Sequence, residues 1–119
     1  MNTPLYSPGF NIAMKVPPSA FDSTVNFYAN VVGLRVKETP STDSVVFDFG
    51  EKNLWIDRVE CLTSPEVWLD IRTRDMEAAR DHLASHQITR CDDVEELPEG
   101  MKAFWIRNPA GVVHLVSEE

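Results

Sequence analysis

No stretch of this chain approaches the roughly 20 consecutive apolar residues that a bilayer-crossing helix needs. Its opening, MNTPLYSPGF, has neither the basic start nor the apolar segment that directs secretion. A cytoplasmic protein that does not engage membranes is therefore expected. Basic residues are also few: 11 Lys and Arg against 19 Asp and Glu give a net charge of -8, and the eleven are scattered. Such a surface repels phosphate backbones and anionic lipid, so nucleic acid is not expected as a partner. Only Cys61 and Cys91 occur, without a CxxC or Cys/His pattern. That excludes a zinc ribbon or dithiol redox motif and leaves two reduced thiols, or one disulfide between them. GxSxG, GxGxxG and Walker motifs are absent too, so the motif-bearing hydrolase, dehydrogenase and nucleotide-hydrolysing classes have no residues to carry them.

What the chain does have is a statement made twice. Asn11 to Val16 (NIAMKV) and Glu66 to Ile71 (EVWLDI) both alternate as strands do, about 55 positions apart, and each precedes a helical stretch and then strand, turn, strand. An isolated copy of that size would be marginally stable. With 119 residues and 43% of them hydrophobic, the chain reads as a single domain, 1–119, with module one at about 10–60 and module two at about 65–117.

Residues 1–9, with two prolines and one glycine, look like a loosely held arm. The first strand, at about Phe10 to Val16, puts Ile12, Met14 and Val16 on one face and Asn11, Ala13 and Lys15 on the other. Ser19 or Asp22 could cap a helix with inward positions Phe21, Val25, Tyr28 and Val32, closed by Gly33. A second strand starts at Leu34. Val45 to Phe49 and Leu54 to Val59 form a hairpin turning at Gly50-Glu51-Lys52-Asn53. Module two repeats the pieces: a strand at Val67 to Arg72, and a helix over about Asp75 to His86 capped by Thr73 or Asp75, with Met76, Ala79 and Leu83 inward. A short strand near Thr89 to Cys91 follows, then a hairpin of Ala103 to Arg107 and Val112 to Val116 turning at Asn108-Pro109-Ala110-Gly111.

The fold class is thus α+β, two βαβββ modules pairing into a curved mixed sheet, a half-barrel. Two helices cannot cover both faces of about eight strands, so one face is left as a trough where chemistry would lie. By parity Trp55 shares a strand face with Asp57, and Trp68 shares one with Glu66 and Asp70; both indoles should enter the trough and could form platforms for a flat ligand. Lys15, Asp70 and Arg72 fall on the same face, where ion pairs at an exposed rim contribute little. His82 and His86 stand four apart on the second helix, a solvated face lacking the Glu of an HExxH motif.

Phe27-Tyr28 with Val32-Gly33-Leu34 at the end of the first helix, and Asn108-Pro109-x-Gly111 before the last strand, together resemble the vicinal oxygen chelate superfamily: glyoxalase I, bleomycin-resistance proteins and extradiol dioxygenases. The resemblance covers about Phe10 to Ser117. It implies His, Gln or Glu metal ligands on the first and fourth strands of each module. Here those positions carry Asn11, Trp55 or Asp57, Glu66, and Leu115, or His114 if the last turn is one residue tighter. An amide and an apolar side chain make a degraded ligand set, so no metal cofactor is favoured; a divalent ion, if present, would use Asp57, Glu66 and His114. The resemblance also implies a homodimer. Two functions follow from it: metal-independent binding of a small-molecule ligand by Asn11, Lys15, Trp55, Asp57, Glu66, Trp68 and His114, or a divalent-metal lyase, isomerase or dioxygenase.

Overall fold

The computed structural model describes residues 5–119; the first four residues of the expected N-terminal arm lie outside the described residues. In chain order the strands are β1 (Tyr6–Pro8), β2 (Asn11–Val16), β3 (Val36–Ser41), β4 (Ser44–Phe49), β5 (Lys52–Arg58), β6 (Glu66–Thr73), β7 (Thr89–Arg90), β8 (Ala103–Arg107) and β9 (Val113–Glu118). The helices are α1 (Pro18–Asn26), continued by a π-helical turn (Phe27–Val32), and α2 (Met76–Ser85). The order β2-α1-β3-β4-β5 recurs as β6-α2-β7-β8-β9, so the βαβββ module is present twice and the fold is α+β. Pairing repeats as well: β2 runs parallel to β5, and β6 parallel to β9. Contacts divide the chain into two compact units, Phe10–Trp68 and the residues up to Gly9 with Leu69–Glu119, the division falling inside β6.

In the Phe10–Trp68 unit the strand order is β3-β4-β5-β2, and residues 66–68 of β6 add antiparallel to the far side of β2. Strand alternation sends Val16, Val45, Phe47, Leu54 and Ile56 to one face, where they bury Phe21 of α1, with Ile12, Met14, Val25 and Tyr28 packed around them. The expected side-chain cap is not used. Pro17 holds the N-cap position in extended geometry without a side-chain bond, and Pro18 begins the helix, where its missing N–H is no loss. The last turn also differs from the 3.6-residue expectation. Its π geometry, with Gly33 N–H donating to the Tyr28 carbonyl, adds a residue per turn, so Val32 rotates out and is 51% exposed. Gly33 closes the turn in the left-handed region, φ 84°.

The β4–β5 turn is tighter than the four residues expected. Phe49 pairs with Lys52 across Gly50-Glu51, and Gly50 takes the positive φ that the first position of a type II′ turn demands. Strand β3 starts at Val36 and is exposed throughout; register shifts on both sides of Glu38, together with Lys37 and Pro40, keep this edge from pairing further.

In the other unit β9 lies between β6 and β8, with β7 outermost and β1 antiparallel to β6. Ala79 of α2 is fully buried against Phe104, Ile106 and Val116, with Met76 and Leu83 beside it. Asp75 caps α2 through a bond from Ala78 N–H to its Oδ1, 3.0 Å. Strand β1 was not expected. Its three residues pair with Ile71–Thr73, Gly9 N–H donates to the Asp70 carbonyl at 2.9 Å, and the Tyr6 hydroxyl meets His82 Nδ1 at 2.8 Å. Both cysteines are free, Cys61 exposed and Cys91 buried. Among the described residues no helix is long and apolar enough to cross a membrane.

Candidate functional site

Within the Phe10–Trp68 unit, the sheet face away from α1 carries the polar half of each alternating strand. Register organises it into three rungs across β5, β2 and β6. Asn53 stands opposite Asn11; Trp55 and Trp68 stand on either side of Ala13; Asp57 and Glu66 stand on either side of Lys15.

The Asp57–Lys15–Glu66 rung carries the charge. Lys15 Nζ donates to Asp57 Oδ2 at 2.8 Å, and the Ser44 hydroxyl donates to Asp57 Oδ1 at 2.7 Å. Lys15, expected at an exposed rim with Asp70 and Arg72, is instead buried against Asp57, the two side chains being 5% and 13% exposed. Removed from solvent to that degree, the pair is unscreened, and its partners hold one another in place. Lys15 Nζ also sits 4.4 Å from the centroid of the Trp68 ring, a cation–π arrangement.

The two tryptophans are tied down by their polar ends. Trp55 Nε1 donates to Asn11 Oδ1 at 2.9 Å, and Trp68 Nε1 donates to Glu66 Oε1 at 3.0 Å. Asn11 and Glu66 open equivalent strands of the two copies, so the same position in each repeat accepts an indole N–H. Asn11 Oδ1 also accepts from Asn53 Nδ2 at 3.1 Å, and Asn53 Oδ1 accepts from Lys37 Nζ at 2.6 Å.

These bonds bear on whether the residues fit a divalent ion. The amide oxygen of Asn11 accepts two N–H groups, both oxygens of Asp57 are taken, and a lysine ammonium already stands against them. Among the described residues no three His, Cys, Asp or Glu side chains are grouped to hold a metal ion. The donor set does not fit one.

His114 lies in the other unit. Leu115 pairs with Asp70 and Trp105, which places it on the strand face of Asp70, whereas His114 pairs with Leu69 and Ile106 and shares a face with Val116. Its Nδ1 lies 3.0 Å from the Val112 carbonyl oxygen. The one-residue-tighter turn that would have turned His114 to Asp70's face is not formed. Trp105 is buried, its indole N–H donating to the Glu95 carbonyl at 3.0 Å.

Sequence reasoning missed Ser44, Asn53 and Ala13. Ser44 could have been found from the β4–β5 hairpin, since counting back from its turn sets residue 44 opposite residue 57. Ala13 gave no signal by its chemistry; it matters because it is small where both of its cross-strand neighbours are tryptophan.

No protein-family model and no curated protein matches the chain. Solved structures do. A Mn(II)-bound glyoxalase from Novosphingobium aromaticivorans matches over 93% of this chain with a TM-score of 0.68 at 17% identity; the chain spans 38% of that protein. A glyoxalase/bleomycin resistance protein/dioxygenase superfamily member from Vibrio splendidus 12B01 matches over 91% of this chain and 97% of its own, with a TM-score of 0.62 at 13% identity. Methylmalonyl-CoA epimerase from Mycobacterium tuberculosis matches over 99% of this chain and 91% of its own, with a TM-score of 0.63 at 13% identity. At such identities the likeness is one of fold: the chain has the vicinal oxygen chelate fold.

Proposed function

We propose that the protein binds a flat small molecule without a divalent metal, on the sheet face of its Phe10–Trp68 unit that lies away from α1. The observation that carries this reading is the middle rung, two tryptophans set on either side of an alanine. Strands two apart in a sheet lie roughly 9–10 Å from each other. A planar ring between two others needs about 7 Å, twice the favourable carbon–carbon separation. Ala13 puts only a methyl group between the two positions, and the bonds to Asn11 and Glu66 hold the polar ends of the indoles. The lower rung sums two carboxylates against one ammonium, so the site favours a ligand that brings a cationic or hydrogen-bond-donating group over an anion.

The metal-dependent lyase, isomerase or dioxygenase reading is weaker on the chemistry of the donors, since Asn11 and Asp57 are already engaged and His114 stands on the face of Val116. Two copies in the cytoplasm, assembled as a homodimer, belong to the same proposal. The exposed Phe27, Val31 and Val32 offer apolar area for that assembly, and sedimentation at the monomer mass would remove it.

The test is tryptophan fluorescence in EDTA, in a Trp105→Phe background, titrated with a panel of flat aromatic amines. Saturable quenching is expected, weakened at least tenfold by Trp55→Ala and by Trp68→Ala, about 1.4 kcal/mol each. Binding that appears only with added Mn(II), or that is indifferent to both substitutions, would overturn the reading.

A further inference from the structure

We infer that the ammonium of Lys15 is the resident cation of this site, a tethered substitute for an ion between the carboxylates of Asp57 and Glu66. The inference rests on the metal-independent part of the function proposed above. Strand β5 delivers Asp57 and β6 delivers Glu66 to opposite sides of residue 15. Glu66 is directly opposed to Lys15 in an antiparallel pair, where Cβ atoms lie about 4.5–5.5 Å apart, while Asp57 neighbours Lys15 in a parallel pair. The two carboxylates stand on strands roughly 9–10 Å apart, Asp57 buried and Glu66 exposed, and a cation carried on the strand between them is attracted by both. Lys15 supplies that cation.

The surroundings fit that role better than that of a surface ion pair. Lys15 Nζ donates to Asp57 at 2.8 Å and Ser44 satisfies the second Asp57 oxygen, so the carboxylate is held on both sides. Trp68 then links ammonium to second carboxylate: its ring lies 4.4 Å from Nζ while its N–H donates to Glu66. A metal ion could reach Asp57 only by displacing Nζ, breaking that bond and uncovering the indole. The chain thereby excludes divalent ions by occupying their place, not merely by lacking ligands.

The experiment uses Mn(II) alone, followed by equilibrium dialysis with paramagnetic detection of free ion, and melting with and without Mn(II) by circular dichroism. Wild type is expected to take up no Mn(II) and to melt identically in Mn(II) and in EDTA. Lys15→Glu sets a third carboxylate where the cation stood; it should melt lower than wild type in EDTA, recover with Mn(II), and bind one ion per chain. Lys15→Met, which removes the charge and keeps the bulk, should take up Mn(II) under conditions where wild type takes up none. Stoichiometric Mn(II) on wild type would overturn the inference. So would a Lys15→Glu protein that melts like wild type in EDTA and ignores Mn(II). Should Lys15→Glu fail to fold under all conditions, Lys15→Met decides, and no uptake above wild type sinks the idea. Wild-type fluorescence with aromatic amines in EDTA tests the binding function separately, so the two can fail independently.

Discussion

Removing the Asp57 carboxylate should destabilise this protein more than its position on a sheet face away from the helix suggests. Asp57→Leu leaves the Lys15 ammonium, 5% exposed, without the carboxylate 2.8 Å away. At that separation and an effective dielectric of 20 the attraction is about 6 kcal/mol, opposed by several kcal/mol for desolvating each ion. Breaking one side of such a pair typically costs about 3–5 kcal/mol. Trp68 stays over Nζ and Glu66 remains in register with Lys15, so the lower end, roughly 3 kcal/mol, is the expectation for Asp57→Leu. Lys15→Met should cost about 2–3 kcal/mol, since Ser44 still donates to the orphaned carboxylate. The double variant replaces both ions by apolar groups and should lie within about 1 kcal/mol of wild type, giving a coupling energy of about 4–7 kcal/mol. Urea unfolding of all four proteins measures it, provided the slopes agree. Because the pair is buried, the coupling should persist in about 0.5 M NaCl, where exposed pairs are screened. Single substitutions that add to within about 0.5 kcal/mol would show that the two charges act independently and would refute the reasoning.

Two further outcomes follow from other parts of the chain. A Cβ at Gly9 would run into the Asp70 side chain and stand 2.6 Å from the Asp70 carbonyl oxygen, which strand pairing keeps from moving. Gly9→Ala should cost about 1–3 kcal/mol in urea unfolding and detach Tyr6 from His82; a change under about 0.5 kcal/mol would mean that β1 contributes nothing. The thiols should separate by rate. Cys61 is exposed, whereas burial pushes the Cys91 thiol up, with Asp92 and Asp93 adding to it and Arg107 and Arg90 opposing. A disulfide reagent near pH 8 should consume one thiol at once and the second only as the chain unfolds. Because the folded value is the higher one, the Cys91 contribution to stability is complete below the ordinary thiol range and is lost as pH rises through the folded value. Stability should therefore fall from about pH 9 upward, and less steeply in Cys91→Ala.

Features that depend on local spacing were readable from the residues in order. The repeat of NIAMKV and EVWLDI, the inward sets on α1 and α2, the Asp75 cap and the left-handed stop at Gly33 each follow from neighbours within a few positions. What depended on a distant partner was not readable. Tyr6–Pro8, with a proline at its end and a glycine after it, has the composition of a loop and becomes a strand because Ile71–Thr73 offers it an edge. Lys15 and Asp57 were legible as sharing a face, but whether a face is wet or dry is set by tertiary cover, which parity does not report. The π turn escaped for a related reason: one extra residue in a turn carries no composition signal, and it moved Val32 from the expected core to the surface.

The last strand shows where a period-two pattern stops deciding. Val112, His114 and Val116 form one alternating set, and Val113, Leu115 and Ser117 form the other, so hydrophobicity is nearly equal on both faces and either register satisfies it. Burial does not separate them either, because Val113 and Val116 are both buried on opposite faces. The turn decides. Asn108 Oδ1 accepts from both Ala110 N–H and Val112 N–H, and Asn108 N–H donates to the Val112 carbonyl at 2.9 Å, so the loop closes at residue 112 with Gly111 at φ 90°. Val113 is then the residue opposite Arg107, and every later residue of β9 follows in step, which sends Leu115 to the face of Asp70 and His114 away from it. One asparagine side chain, by setting the length of a turn, thus selects which of two adjacent residues shares a face with Asp70.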